Sequence, residues 1–168
     1  AIATIQSAMT GHQVFSSLHT NDALSAISRL ENIGVPTYLL SGTVICVIAQ
    51  RLSRKLCDNC KVTRPINDIE KKILKKYPKV THVGHPKGCN RCSGTGYYGR
   101  TPLMEILPFD KNVDEMILNR ASRNEFINYI KKMGFISMAD DGILKIAQGI
   151  TTLEEVSEAV DMTDYIYD

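Results

Sequence analysis

From Ala1 to Gly34 the apolar positions recur at helical spacing twice, with a stretch of different texture between the two runs. The run AIATIQSAMTG predicts a helix that closes at Gly11, Gln13 to Leu18 predicts a strand, and a second helix is expected from near Asp22 to Gly34, with Thr20 or Asn21 placed to cap it. This alternation predicts an α/β segment. Pro36 suits the first turn of a third helix, on which Leu40, Val44 and Val47 or Ile48 would share a face, with Cys46 a core residue within it. QRLSRKL then returns to strand-like alternation through Leu52 and Leu56.

The texture changes at residue 57. Residues 57–98 hold four cysteines around one charged helix, DIEKKILKKY, which Asn67 and Glu70 open as a capping box, and glycines crowd the end of the segment at 88, 94, 96 and 99. The rest reads as a short strand, TPLMEIL, followed by helices with legible ends: Asp110, then Ser122 with Glu125, a stop at Gly134, another at Gly149, and Thr152 with Glu155 opening the last. The expected division is therefore 1–56, 57–98 and 99–168. The last segment shows no catalytic constellation and is read as a packing or coupling module.

Composition narrows this picture. A chain of 168 residues that is 43% hydrophobic can bury a core, so disorder is excluded. The longest apolar run, around Val44 to Ala49, is far short of the roughly 20 residues that cross a bilayer, and the N-terminus lacks the pattern of a secretory leader. A soluble, cytoplasmic chain is expected, one that starts inside a helical pattern without a cap. The net charge of +2 hides an asymmetry: residues 51–92 carry 12 Lys or Arg against 3 Asp or Glu, a net +9, which leaves the remainder at −7. Such a basic block could attract nucleic acid or acidic lipid headgroups, or simply be the solvated face of a lysine-rich helix. Interleaved aromatics are few, which argues against nucleic acid as a partner.

Cys57 and Cys60 form one C-x-x-C pair and Cys89 and Cys92 another, with 28 residues between the pairs. Two residues between cysteines let both thiolates of a tight turn face one ion, and two such turns complete the tetrahedral sulfur set of structural zinc. A redox motif needs only one pair, and disulfides are disfavoured in a reducing cytosol. Iron in a rubredoxin-like site fits the same four sulfurs. Four thiolates around Zn²⁺ leave no open position, so the ion would stabilise and not catalyse. CNRCSGTG also matches the C-x-x-C-x-G-x-G repeat of Hsp40-type chaperone zinc modules, and a four-cysteine ribbon can bind nucleic acid. An independent zinc-binding interaction module is thus the rival reading, though it leaves residues 11–56 without an account.

On a strand, His12 and His19 would face opposite sides and stand about 23 Å apart at about 3.3 Å per residue, too far to share a metal. In a parallel α/β sheet ligands bind beyond the carboxyl ends of the strands, which would put LHTND on the ligand side. There His19 could donate to a phosphate oxygen and the next helix's amides could favour the anion. The alternative is a plain turn histidine, with Asn21 only a cap.

The order of motifs decides between them. TGHQVFSSLHTNDA resembles the histidine box of the type II secretion and type IV pilus assembly ATPases, and AISRLENIGVP, AQRLSRKLCDNC, CNRCSGTGYYGR and DDGILKIAQGITTLEEV follow in that family's order. The resemblance implies the C-terminal part of a RecA-like P-loop ATPase core (1–56), an inserted tetracysteine zinc module (57–98), and a short strand with a helical C-terminal region (99–168). It implies a homo-hexamer at the cytoplasmic face of the inner membrane, working with a platform protein and cytoplasmic assembly proteins. Its task would be ATP-driven protein secretion or pilus extension. It also implies His19 near the γ-phosphate as sensor or stabiliser, Asn21, Asp22 and Arg51 near the nucleotide, His12 as a residue of the motif alone, and Cys57, Cys60, Cys89 and Cys92 as zinc ligands. ATP and Mg²⁺ would belong to the whole protein. These 168 residues contain no G-x-x-x-x-G-K-[ST] and no acidic strand for a general base, so the chain by itself is expected not to hydrolyse ATP.

Overall fold

A computed structural model describes residues 1–167 of the chain. Contacts divide it into two compact units, each built from two stretches of sequence: Ala1–Ala49 with Glu105–Ile136, and Gln50–Met104 with the residues from Ser137 onward. Helices and strands are mixed throughout, as an α/β chain requires.

The first unit holds α1 (Ile2–Met9), α2 (Ala23–Asn32), α3 (Thr37–Leu40), α5 (Lys111–Leu118) and α6 (Arg123–Lys132), together with the start of β1 (Cys46–Leu56) and the end of β4 (Tyr97–Pro108). Its core gathers Ile27 from α2, Leu40 from α3, Leu107 from β4, Val113 and Ile117 from α5, and Phe126 and Ile130 from α6. On α5 and on α6 the two core positions stand four residues apart, the spacing that turns one stripe inward. Local chemistry sets the helix ends. Asp110 accepts from the Val113 amide at 2.9 Å, Ser122 and Glu125 form a reciprocal capping box, and Gly134 follows α6 at φ +79°, conformations read correctly from the sequence.

The second unit contains the remainder of β1 and β4, then β2 (Val62–Pro65), α4 (Asp68–Ile73), β3 (His82–His85), α7 (Met138–Ala147), α8 (Leu153–Ala159) and α9 (Thr163–Tyr167). The strands β1 and β4 pair with each other, and β2 pairs antiparallel with β3 in the register Val62 to His85 and Pro65 to His82. The expected capping box opens α4, and Glu70 does more than cap: only 1% exposed, it also takes Arg64 in two hydrogen bonds of 2.7 Å. Gly142 lets α7 lie against α8, since a Cβ there would stand 2.5 Å from Val156 Cγ1.

Several expectations fail. The strand expected over Gln13 to Leu18 does not form: among the described residues no strand pairs with this stretch, and Phe15 is 87% exposed. A strand exists only by its ladder, and side-chain character cannot supply one. The parallel-sheet geometry built on that strand therefore has no counterpart among the described residues. The third helix is a single turn: Pro36 stands at its N-cap, Gly42 follows at φ +73°, and the β-branched run Thr43, Val44, Ile45 gives way to β1. Cys46 begins that strand, half-buried, instead of sitting on a helix. The charged helix stops at Ile73, and the strands β2 and β3 on either side of it were not anticipated. Neither Thr20 nor Asn21 caps α2; Asp22 does. The helix opened by Thr152 is not the last, since α9 follows.

Candidate metal centre and histidine segment

The four cysteines converge. Their Sγ atoms all lie within 4.8 Å of one another, with Cys57 to Cys89 at 3.9 Å, Cys60 to Cys92 at 3.8 Å and Cys89 to Cys92 at 3.7 Å. A tetrahedral Zn–S bond of about 2.3 Å implies sulfur–sulfur edges of about 3.8 Å. The cage has the size of the ion, and its edges are nearly twice the roughly 2.05 Å of a disulfide. All four thiols are free.

Backbone turns build this cage. After Cys57, the amides of Cys60 and Lys61 both donate to the Cys57 carbonyl, at 3.1 and 2.8 Å, folding the first knuckle. After Cys89 a 3₁₀ turn, Asn90–Cys92, leads into Ser93 in the left-handed region, and the Gly94 amide closes back on the Cys89 carbonyl at 2.9 Å. Two glycines are needed for close approach. A Cβ on Gly96 would stand 2.3 Å from Pro86 Cβ, and one on Gly88 would stand 2.5 Å from the Gly94 carbonyl oxygen. Gly96 also donates its amide to Cys92 Sγ at 3.2 Å, as does the Cys89 amide, and Asn59 Nδ2 donates to Cys89 Sγ at 3.3 Å.

These donors favour thiolates. The Asn59 amide, with help from the Cys92 backbone, pulls Cys89 down to about 6, whereas burial and the neighbouring thiols push Cys60 up to about 12. Four sulfurs this close cannot all ionise unless a cation shares their charge. A soft, tetrahedral divalent ion fits that donor set. Asn59 and Gly96 were not singled out from sequence, although the C-x-x-C-x-G-x-G text already placed a glycine four residues after Cys92.

The histidine segment belongs to the first unit. His19 is exposed, and among the described residues no hydrogen bond fixes its ring. His12 lies back against the end of α1, its Nδ1 3.1 Å from Thr10 Oγ1 and 3.2 Å from the Ser7 carbonyl oxygen. Asp22 is fully engaged: Oδ1 accepts the Ser25 amide at 2.7 Å and Oδ2 accepts Arg123 Nη2 at 2.9 Å. Glu105 is 6% exposed and accepts the Ala23 amide at 2.6 Å. The amides at the start of α2, expected to favour a phosphate, are thus partly taken by two of the chain's own carboxylates. Arg51 lies exposed on β1, in the other unit. Sequence reading missed Glu105, although strand alternation puts it on the face of Leu103 and Leu107, where a carboxylate needs a partner.

The described residues thus form an α/β chain that carries a tetracysteine cage and a histidine-bearing segment. The family described as "Type II/IV secretion system protein" matches residues 1–158, and the chain belongs to it. Among its relatives, the type IV pilus assembly ATPase TfpB of Acinetobacter baylyi is 38% identical, covering 95% of this chain and 28% of that protein. The type II secretion system protein E of Pseudomonas aeruginosa is 39% identical over 90% of this chain and 30% of its own length. The type IV pilus assembly ATPase PilB of Thermus thermophilus is 39% identical over 92% of this chain and 18% of its own. The chain therefore spans less than a third of the relatives it matches.

Proposed function

We propose that this chain is the C-terminal portion of a traffic ATPase that couples ATP hydrolysis to type II protein secretion or type IV pilus assembly. The observation that carries the reading is the family match over residues 1–158, with relatives named as ATPases or components of both machines. On this reading residues 1–56 complete a RecA-like core, 57–98 form the zinc module, and 99–168 form the helical region. The active assembly is a hexamer, peripheral on the cytoplasmic face of the inner membrane and in contact with a platform protein. No helix among the described residues is long and apolar enough to cross a membrane, which accords with a peripheral place.

Cys57, Cys60, Cys89 and Cys92 would hold Zn²⁺, which as a closed tetrathiolate site supplies stability and no chemistry. His19 is the residue nearest the chemistry. Exposed, and held by no hydrogen bond among the described residues, its ring would donate toward a γ-phosphate brought by the rest of the ATPase, as sensor or stabiliser. Asn21 and Arg51 stand as further nucleotide contacts, and Asp22 keeps the segment in place through its cap and ion pair. Without a phosphate loop the 168 residues should not turn over ATP, because that loop's amides and lysine provide most of the electrostatic stabilisation.

The test is His19→Ala in the intact ATPase. Turnover should fall at least about tenfold while nucleotide affinity stays within about twofold, since the phosphate loop supplies the affinity. Unchanged turnover would take His19 out of the mechanism.

A further inference from the structure

The two middle residues of the first knuckle have separate tasks. Asp58 is engaged by lysines on either side of it in sequence, with Lys55 Nζ on Oδ2 and Lys61 Nζ on Oδ1, each at 2.9 Å. Asn59 reaches instead for the other knuckle, 30 residues further along the chain, where its Nδ2 donates to Cys89 Sγ at 3.3 Å. In the opposite direction a backbone hydrogen bond from Gly88, beside the second knuckle, meets the Cys60 sulfur of the first. Each half of the cage therefore offers an N–H to a sulfur of the other. One comes from the main chain and survives any substitution; the other depends on a single side chain.

Nothing in the local fold asks for asparagine at this position. Asn59 is exposed, so packing does not select it, and positive φ outside glycine occurs among the described residues only at Ser93 and Arg120. What the residue adds is the donor. Four thiolates around one divalent ion leave two negative charges in excess, and Lys55 and Lys61 are committed to Asp58. N–H groups aimed at the sulfurs then carry the compensation, the part that groups behind the ligands play at metal sites generally. The amide must present its nitrogen, since its oxygen would face the sulfur acceptor to acceptor.

We propose that Asn59 is a positioning residue of the metal centre, a clasp that holds Cys89 to the first knuckle and sets how tightly the ion is retained. The proposal rests on the reading of the four cysteines as ligands of one divalent ion. It assigns Asn59 no bond to the metal.

The experiment compares the 168-residue chain with Asn59→Ala, which deletes the donor, and Asn59→Asp, which keeps the shape but turns an acceptor and a negative charge toward the sulfur. Asn90→Ala is the control: Asn90 is an exposed asparagine of the second knuckle whose side chain bonds no sulfur among the described residues. Zinc loss to an excess of chromogenic chelator should quicken about tenfold or more in Asn59→Ala, further in Asn59→Asp, and stay within about twofold of wild type in Asn90→Ala. In the cobalt(II)-loaded chain the sulfur-to-metal charge-transfer band should move to longer wavelength in Asn59→Ala, because a thiolate without its N–H gives up an electron more easily, while the intensity of the visible bands stays that of a tetrahedral site. Unchanged zinc loss in both Asn59 variants would overturn the proposal. So would faster loss with the charge-transfer band unmoved, or an equal effect in Asn90→Ala, since either would mean general loosening of the knuckles. Failure of both Asn59 variants to fold with zinc in excess would make Asn59 a folding residue and count against the clasp as well. A wild-type chain that takes up neither zinc nor cobalt would bring down the metal reading itself, a result visible before any variant is made.

Discussion

Glu155 holds Arg54 in a two-pronged grip, with Oε2 accepting Nε at 2.7 Å and Oε1 accepting Nη2, while the same guanidinium lies 4.7 Å over the Tyr97 ring. Tyr97 in turn bonds Thr152 through its hydroxyl at 3.0 Å, and the Ser53 hydroxyl meets that of Thr151 at 3.0 Å. Within the second unit, one cluster of polar contacts therefore ties α8 to the strands that lead into and out of the cysteine knuckles. It also explains why Thr152 and Glu155 do not complete a capping box. The Thr152 hydroxyl still receives the Glu155 amide, but the Glu155 carboxylate is spent on Arg54.

Glu155→Ala should therefore destabilise the chain by about 1–3 kcal/mol, because the glutamate side chain is 5% exposed and its charge-assisted bonds are lost together. The figure belongs at the lower end, since Arg54 is 52% exposed and water can take it back. Urea denaturation midpoints at constant m-value measure the change. A loss no greater than that of an exposed control such as Glu158→Ala would show that the grip contributes nothing.

Gly96→Ala tests the second knuckle. The added Cβ would meet Pro86 at 2.3 Å, and φ +79° disfavours any side chain, so both strain and steric overlap act in the same direction. A loss of about 2–4 kcal/mol and weakened metal retention are expected. Gly94→Ala is the control: its φ is also +79°, yet a Cβ there meets nothing within 4 Å, and its cost should be only the conformational part, about 1 kcal/mol. Equal losses in the two variants would show that the approach of Gly96 to Pro86 is unimportant.

The cage should bind one divalent ion per chain. Atomic absorption on reduced protein is expected to find zinc at a ratio near one. Colourless protein would exclude a rubredoxin-like iron site, which is red. Chelation, or Cys92→Ser, should loosen the knuckles and expose to exchange the amides of Cys60 and Gly94, which close the two turns, because the ion is what joins them. Absence of metal from fully reduced, folded protein would reject the site.

What the sequence disclosed about this molecule is what depends on neighbours in the chain. The caps at Asn67, Asp110 and Ser122 are made within three residues, and all are where the text places them. The cysteine cage was legible for a related reason: two-residue spacing sets half of its geometry locally, and only the meeting of the two halves is long-range. The failures depend on distant partners. Gln13 to Leu18 has strand-forming residues and no ladder, β2 and β3 are too short to announce themselves, and the carboxylate that meets Ala23 comes from 82 residues away. Around Val44 to Ile48 the competition was local but misjudged, since β-branched residues can build a helix face or a strand and pairing with β4 decided the matter.

Asp22 supplies a prediction in pH. Partial burial works against its charge, yet the Ser25 hydrogen bonds and the Arg123 guanidinium outweigh that and hold its carboxyl below the ordinary aspartate value of 3.8. A carboxylate whose affinity for protons is depressed by folding binds them more tightly when unfolded. The stability it contributes is present in full above the unfolded value, and it is lost as pH falls through the lower, folded one. Melting temperatures of the wild type and Asp22→Asn should therefore differ most at neutral pH and converge as the solution is taken from pH 6 toward pH 3. The asparagine can still cap α2, so the gap reports the charge and its ion pair, with the cap preserved in both. Added salt should narrow the gap at neutral pH, because Arg123 is exposed and its attraction is screened. A difference that persists unchanged at pH 3 would mean that Asp22 acts through shape alone and that its charge plays no part in holding the segment that carries His19.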